Sequence, residues 1–242
     1  MRQRMSRMVR RGWQRASLPP PTFRSQTGHC RASMGFTPTE RSFEMRGFPM
    51  STKTLAFCGS SRRGSLNQML LDRAILGAKE AGGQVTSVRL RDFNLPLYDG
   101  DYEAEFGVPE DALALQALIE AHQGLLIATP EHNGGYTALL KNALDWVSRA
   151  KPVANPLGGK TVALLSASPG PMGALRSQMS LQVVLHKMGA QIIPENFALG
   201  MAHEAFDDAG ALKNPVVDKL VRHVGSSLQK LISRTALATD FA

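Results

Sequence analysis

Apolar and polar positions fall into two textures along the chain. Through residues 1–50 no helical or strand period is sustained, and a Pro-Pro-Pro run occupies Pro19 to Pro21. From Lys53 onward, short apolar runs alternate with longer stretches of helical period. Thr54–Cys58 (TLAFC) and Gly124–Ala128 (GLLIA) are unbroken apolar runs of strand length, the pattern of a strand covered on both faces. Thr161–Ser166 is another, and Val85–Leu90 alternates as a second strand in chain order. Gln191–Ile193, or a longer stretch reaching Leu199, reads as a fifth. Ser65–Ala81 sets Leu66, Leu70, Ala74 and Ala78 at i+4 spacing and closes on Gly82 and Gly83, which predicts a helix. Ala112–His122, Thr137–Arg149, Ala174–Met188 and Val216–Ser233 read as helices, and the stretch around Pro96, Gly100 and Pro109 as a polar loop.

Strands alternating with helices imply βαβ units, hence a parallel sheet with helices on both faces. Five strands suit the α/β, flavodoxin-like, doubly wound five-stranded order 2-1-3-4-5 rather than a six-stranded dinucleotide fold. Ligands of such sheets sit beyond the carboxyl ends of the strands at the switch point. The loops after strands one, three and four are therefore where chemistry is expected.

Charge changes the picture only at one end. The 242 residues carry 28 Lys+Arg and 20 Asp+Glu, a formal net charge of +8. Residues 1–50 hold ten arginines, no lysine, and only Glu40 and Glu44, so they account for all of it. Residues 51–242 keep 18 basic and 18 acidic groups and are balanced. Two segments follow: a disordered basic extension over 1–50 and one globular domain over 51–242. The extension reads as a start placed too far upstream, as an organelle-targeting segment, or as a basic arm. A neutral domain and a tail poor in aromatic residues argue against a nucleic-acid partner. No apolar run nears the roughly 18 residues of a membrane helix. Cys30 and Cys58 fall in different segments, which makes no disulfide framework or zinc site and fits a cytoplasmic protein.

The loop after strand one, Gly59 to Asn67 (GSSRRGSLN), clusters hydroxyls of Ser60, Ser61 and Ser65 and the amide of Asn67 at the start of a helix. A helix N-terminus offers free N–H groups and partial positive charge, and Arg62 adds a charge-assisted donor, so the loop suits a phosphate monoester. It lacks the Gly-Lys-Ser/Thr of a triphosphate loop. The plainer reading is a helix cap at Ser65. The loop after strand three, Thr129 to Tyr136 (TPEHNGGY), sets a rigid Pro130, Glu131, His132, Asn133 and Gly134 where backbone N–H groups can flank a flat heterocycle. His132 has no ligating neighbour except Glu131, which argues against a metal. The loop after strand four, Ser166 to Gly173 (SASPGPMG), opens the next helix. No triad, nucleophile elbow or carboxylate pair is present, so no catalytic side chain is named and the chemistry falls to a cofactor.

Three stretches resemble the NADPH-dependent FMN reductase family, flavodoxin-like reductases of quinones, azo dyes and chromate. GSSRRGSLN resembles its phosphate loop. PEHNGGYTALLKNALDW (Pro130–Trp146) resembles its flavin-ring loop and following helix, where P-E-Y-N is the commoner form. SASPGPMGALRSQ (Ser166–Gln178) resembles its third loop. The resemblance covers about residues 53–200. It implies bound FMN, with Ser60, Arg62, Ser65, Leu66 and Asn67 on the phosphate. Pro130, Glu131, His132, Asn133 and Gly134 would line the isoalloxazine, and Ser166, Ser168, Gly170, Met172 and Gly173 would close the other side. It also implies NADPH or NADH as hydride donor, a small-molecule electron acceptor such as a quinone, azo compound, free flavin or metal oxyanion, and a homodimer or homotetramer. His132 departs from the family's Tyr and offers a smaller stacking face. Along Thr137–Arg149 the stripe of Leu140, Leu144 and Val147 beside Trp146 is either a subunit interface or core. The alternative function is a flavodoxin-like electron carrier. Such carriers are usually strongly acidic, which this domain is not.

Overall fold

The computed structural model describes residues 52–149 and 155–239. The expectations for residues 1–50 lie outside the described residues.

Every strand of the sheet is parallel. β1 (Lys53–Cys58), β2 (Gln84–Arg89), β3 (Gly124–Ala128), β4 (Thr161–Ala167) and β5 (Gln191–Ile192) lie in the order β2-β1-β3-β4-β5. A sixth, β6 (Phe197–Leu199), also pairs with β4. The doubly wound order expected from the sequence is the one observed. The unbroken apolar strands are explained by two covered faces. Ala56, Cys58, Leu126, Ala128, Ala163 and Leu165 point to α1 (Leu66–Glu80) and the last helix. Leu55, Phe57, Leu125, Ile127, Val162 and Leu164 point the other way, to α3 (Glu110–Glu120), α4 (Ala138–Val147) and α5 (Leu175–Lys187). The stripe on α4 is core: Leu140, Leu144, Trp146 and Val147 are all buried, so the interface reading of that stripe is set aside.

Two expectations are revised. The fifth strand is two short pieces pairing with different halves of β4, Thr161↔Gln191 and Leu165↔Phe197. Pro194 has no N–H to give the ladder. Asn196 bridges the gap, its Oδ1 accepting the Leu164 N–H at 3.1 Å. The stretch read as loop contains α2 (Gly100–Phe106), preceded by a 3-10 turn at Leu90–Asp92. Asp99 caps α2 by accepting the N–H groups of Asp101 and Tyr102, and Gly107 at φ 78° ends it. This helix buries no residue, so it leaves no apolar period to read.

A short α6 (Ala202–Ala205) precedes the final helix, α7 (Pro215–Thr239), which starts with Pro at its first position. It lies against α1 backbone to backbone. A Cβ on Gly77 would sit 2.0 Å from the Arg222 carbonyl oxygen, and one on Gly225 would sit 1.9 Å from that of Ala74. Arg73 clamps this pair of helices by donating to both oxygens of Asp218 at 2.6 and 2.9 Å. Its hydrogen bonds hold the Asp218 carboxyl below the usual carboxylate range.

Candidate functional site

The carboxyl ends of β1, β3 and β4 each feed a loop, and the three loops face one cleft of about 440 Å³. Loop 1 (residues 59–65) is built against α4. Gly59 donates to the Ala128 carbonyl at 2.8 Å and accepts from the Thr137 hydroxyl at 2.6 Å. A Cβ there would fall 3.0 Å from Thr137 Oγ1 and 3.2 Å from the Leu140 Cβ, so a side chain would press on α4 and glycine lets the loop approach without that crowding. Thr137 also caps α4, accepting from the Leu140 N–H. Ser65 caps α1 through the Gln68 N–H. That cap leaves the first-turn amides of Leu66 and Asn67 without helical partners at the positive end of the helix dipole. Ser60 Oγ accepts the Arg62 N–H, and Arg91 Nη1 donates to the Ser61 carbonyl at 2.9 Å.

Asn67 joins loop 1 to loop 3. It accepts the Ala167 N–H and donates to the Ala167 carbonyl, both at 2.8 Å. One Nδ2 hydrogen remains for a ligand.

Loop 2 (residues 129–137) carries a two-residue turn. His132 and Gly135 exchange backbone hydrogen bonds of 2.9 and 3.0 Å, with Asn133 at φ 53° and Gly134 at φ 81° between them. Both central residues are left-handed, which selects Asn-Gly at a type I′ turn. Beneath the turn, Arg176 of α5 grips Glu131 Oε1 through Nε and Nη2. Glu131 Oε2 is buried and has no hydrogen-bond partner.

Loop 3 (residues 168–174) leans on β6. Ser168 donates its N–H to Leu199 and takes the Gly170 N–H on its hydroxyl. Gly173, at φ 60°, packs so closely on the backbone of 198–200 that a Cβ would meet it at 2.7 Å.

Of the residues expected in the site, Ser60, Arg62, Ser65, Leu66, Asn67, Pro130, Glu131, His132 and Ser168 all border the cleft. The others serve the loops instead. Asn133 and Gly134 form the tip of the turn that presents His132. Ser166 is fully buried, donating to the Gly173 carbonyl and accepting from Gln178 Nε2, both at 2.6 Å. The Gly170 carbonyl accepts the Met201 N–H. Gly173 is the close-packing glycine, and Met172 is solvent-exposed. Sequence reasoning missed Thr137, Ala138, Leu139, Ala167 and Pro169 as cleft residues, and Ser61, whose hydroxyl was read as part of the anion-binding loop, does border the cleft. Thr137 at a predicted helix start carried a usable signal, since a capping hydroxyl stands beside the loop it closes.

A group of three or more His, Cys, Asp or Glu placed to hold a metal is absent among the described residues. The donor set does fit FMN. One end of the cleft has serine hydroxyls, free helix amides and Arg62, which meet a phosphate monoester. The other has Pro130, Leu139 and Pro169 as apolar surface for a flat ring, with an acceptor at Glu131 Oε2 that the protein leaves unspent.

Comparisons with known proteins agree with this fit. The family model described as NADPH-dependent FMN reductase matches residues 52–204. An NAD(P)H-dependent FMN reductase of Pseudomonas aeruginosa is 36% identical over 185 residues, covering 75% of this chain and 96% of the relative. A quinone reductase of Escherichia coli strain K12 is 34% identical over 142 residues, covering 58% of this chain and 73% of that one. Among solved structures, the flavoenzyme NAD(P)H:(acceptor) oxidoreductase of Paracoccus denitrificans superposes with a TM-score of 0.65 at 28% identity, over 76% of this chain and 98% of that one.

Proposed function

Because this chain belongs to the NADPH-dependent FMN reductase family, we propose a division of labour in which its loops hold and shield FMN and its acceptor is a quinone or a similarly flat oxidant. The chain is an NAD(P)H-dependent flavin oxidoreductase. When bound, FMN supplies the redox chemistry, taking a hydride from NAD(P)H and handing electrons to the acceptor.

The residues do the rest. Ser60, Ser65, Arg62 and the amides of Leu66 and Asn67 hold the phosphate at the start of α1. Pro130, Leu139 and Pro169 exclude water from the ring, and the main chain around Glu131 and His132 orients its polar edge. The carrying observation is that three loops, separated by up to about 100 residues in sequence and tied by the Asn67–Ala167 and Thr137–Gly59 hydrogen bonds, converge on one cleft. No acid–base pair is needed for hydride transfer, and Glu131, the one carboxylate in the wall, is engaged by Arg176.

A quinone acceptor draws support from the relative named for it and from the apolar wall. A cytoplasmic homodimer or homotetramer belongs to the same reading. No helix among the described residues is long and apolar enough to cross a membrane, and the one described cysteine, Cys58, is free and buried. Steady-state kinetics of FMN-loaded protein with NADPH and a benzoquinone test the proposal. Parallel double-reciprocal lines are expected if one pocket serves both substrates in turn. A protein that holds FMN yet oxidises neither NADPH nor NADH would be an electron carrier instead.

A further inference from the structure

Building on the reading of the cleft as an FMN and NAD(P)H site, we infer that Arg63 and Arg91 form a second anion subsite at its rim that takes the 2′-phosphate of NADPH. Arg62 lines the cleft, Arg63 follows it in loop 1, and Arg91 and Arg176 bond to the lining residues Ser61 and Glu131, but the structure makes the four unequal. Arg176 is 68% exposed, yet its guanidinium is committed to Glu131, so its charge is already answered. Arg62 borders the cleft beside the start of α1, where the flavin phosphate has its charge to be met. Arg63 follows it on the exposed part of loop 1 and meets no carboxylate among the described residues. Arg91 comes from the turn after β2. Its Nη1 bond to the Ser61 carbonyl fixes the guanidinium against the same loop, and its one ionic neighbour among the described residues, Asp92, stands 3.8 Å away with a 67% exposed side chain.

The charge count decides what the pair is for. A phosphate monoester carries about two negative charges near neutrality. The first-turn amides, the serine hydroxyls and Arg62 suffice for one such group. Arg63 and Arg91 are left over, and one of them is already immobilised, so little freedom is lost when it grips a ligand. NADPH and NADH differ by one phosphate monoester. Along the chain after Arg91, residues 92–140 hold nine carboxylates and neither lysine nor arginine, so that stretch supplies no cation for the group. A second dianion is therefore steered to Arg63 and to the donors of Arg91 that its bond to Ser61 does not use, where the planar fork suits phosphate oxygens.

The test uses the full chain loaded with FMN. Flavin content is read from absorbance, kcat/KM is measured for NADPH and for NADH, and 2′,5′-ADP is compared with 5′-ADP as an inhibitor. The wild type should prefer NADPH by at least about tenfold. Arg63→Ala and Arg91→Ala should each lower the NADPH/NADH ratio about tenfold through KM, and weaken 2′,5′-ADP in parallel. Arg91→Lys, which keeps the charge and loses the fork, should fall between. Lys79→Ala, at the far end of α1, should leave the ratio where it was. Equal use of the two nucleotides by the FMN-loaded wild type, or a ratio that survives both alanine variants, overturns the subsite and leaves the oxidoreductase reading standing. A chain that fails to retain FMN, or turns over neither nucleotide, overturns that reading and the subsite together.

Discussion

Arg62 and Asn67 both border the phosphate end of the cleft, but they are held there for different reasons. Arg62 is anchored through its main-chain N–H to Ser60, and its guanidinium has no ion-pair partner among the described residues. Arg62→Ala should therefore weaken FMN about tenfold, the ~1.4 kcal/mol of a charge-assisted contact at an exposed site, and leave the melting temperature of the FMN-free protein unchanged. Asn67→Ala should cost both. It strips the Ala167 N–H and carbonyl of their partner, worth about 1–3 kcal/mol of stability for a buried group, and separates loop 1 from loop 3. Fluorescence titration of FMN beside thermal melts of the FMN-free variants distinguishes a ligand contact from a clasp. Cys58 stands at the end of β1, where burial pushes its thiol up to about 11 from the ordinary 9.0. The folded state thus favours the neutral thiol, and this contribution to stability is complete below pH 9.0 and lost as pH rises toward about 11. Peptide mapping after alkylation at pH 8 should find Cys58 labelled only in unfolded protein. Cys58→Ser should flatten the alkaline limb of stability.

Helix and strand elements differ in how openly the sequence declares them. β1, β3 and β4 were legible because strands covered on both faces must be apolar throughout, and α1 because its buried side recurs every four residues. The break between β5 and β6 was not, because a side chain, Asn196, replaces the ladder partner that Pro194 withholds. α2 was hidden because it buries nothing. The three loops of the candidate site were legible by place, since topology sends ligands to strand ends, and by composition. Which of their residues face the cleft was not. Gly173 and Ser166 look like ligand residues in sequence, and only β6 and Gln178 show that one seats the loop and the other braces it. Gly77 and Gly225 carry the contact between α1 and α7, and nothing local in the sequence marks them. Gly225→Ala would drive a methyl group to within about 2 Å of the Ala74 carbonyl oxygen. The helices must then separate, at about 2–3 kcal/mol or more, measurable by urea unfolding. Leu231→Ala on the exposed side of α7 should cost well under 1 kcal/mol.

Across the whole molecule the net charge of +8 belongs to residues 1–50. The domain that binds and reacts is balanced overall but unevenly painted, with arginines around loop 1 and an acidic run from Asp92 onward. Such a surface guides anionic nucleotides to one end of the cleft, so turnover at low nucleotide should decline as salt is raised. Because FMN binds only the folded chain, saturating it at about 100 times its Kd should add about 2.7 kcal/mol to the stability of the domain. The most direct test of the account is the visible absorption spectrum of the protein after loading with FMN and gel filtration, recorded without oxygen before and after one equivalent of NADPH. The account predicts a flavin spectrum that travels with the protein, is bleached by NADPH, and returns on adding a quinone. A colourless protein after filtration, or a bound flavin that neither NADPH nor NADH bleaches, would contradict it.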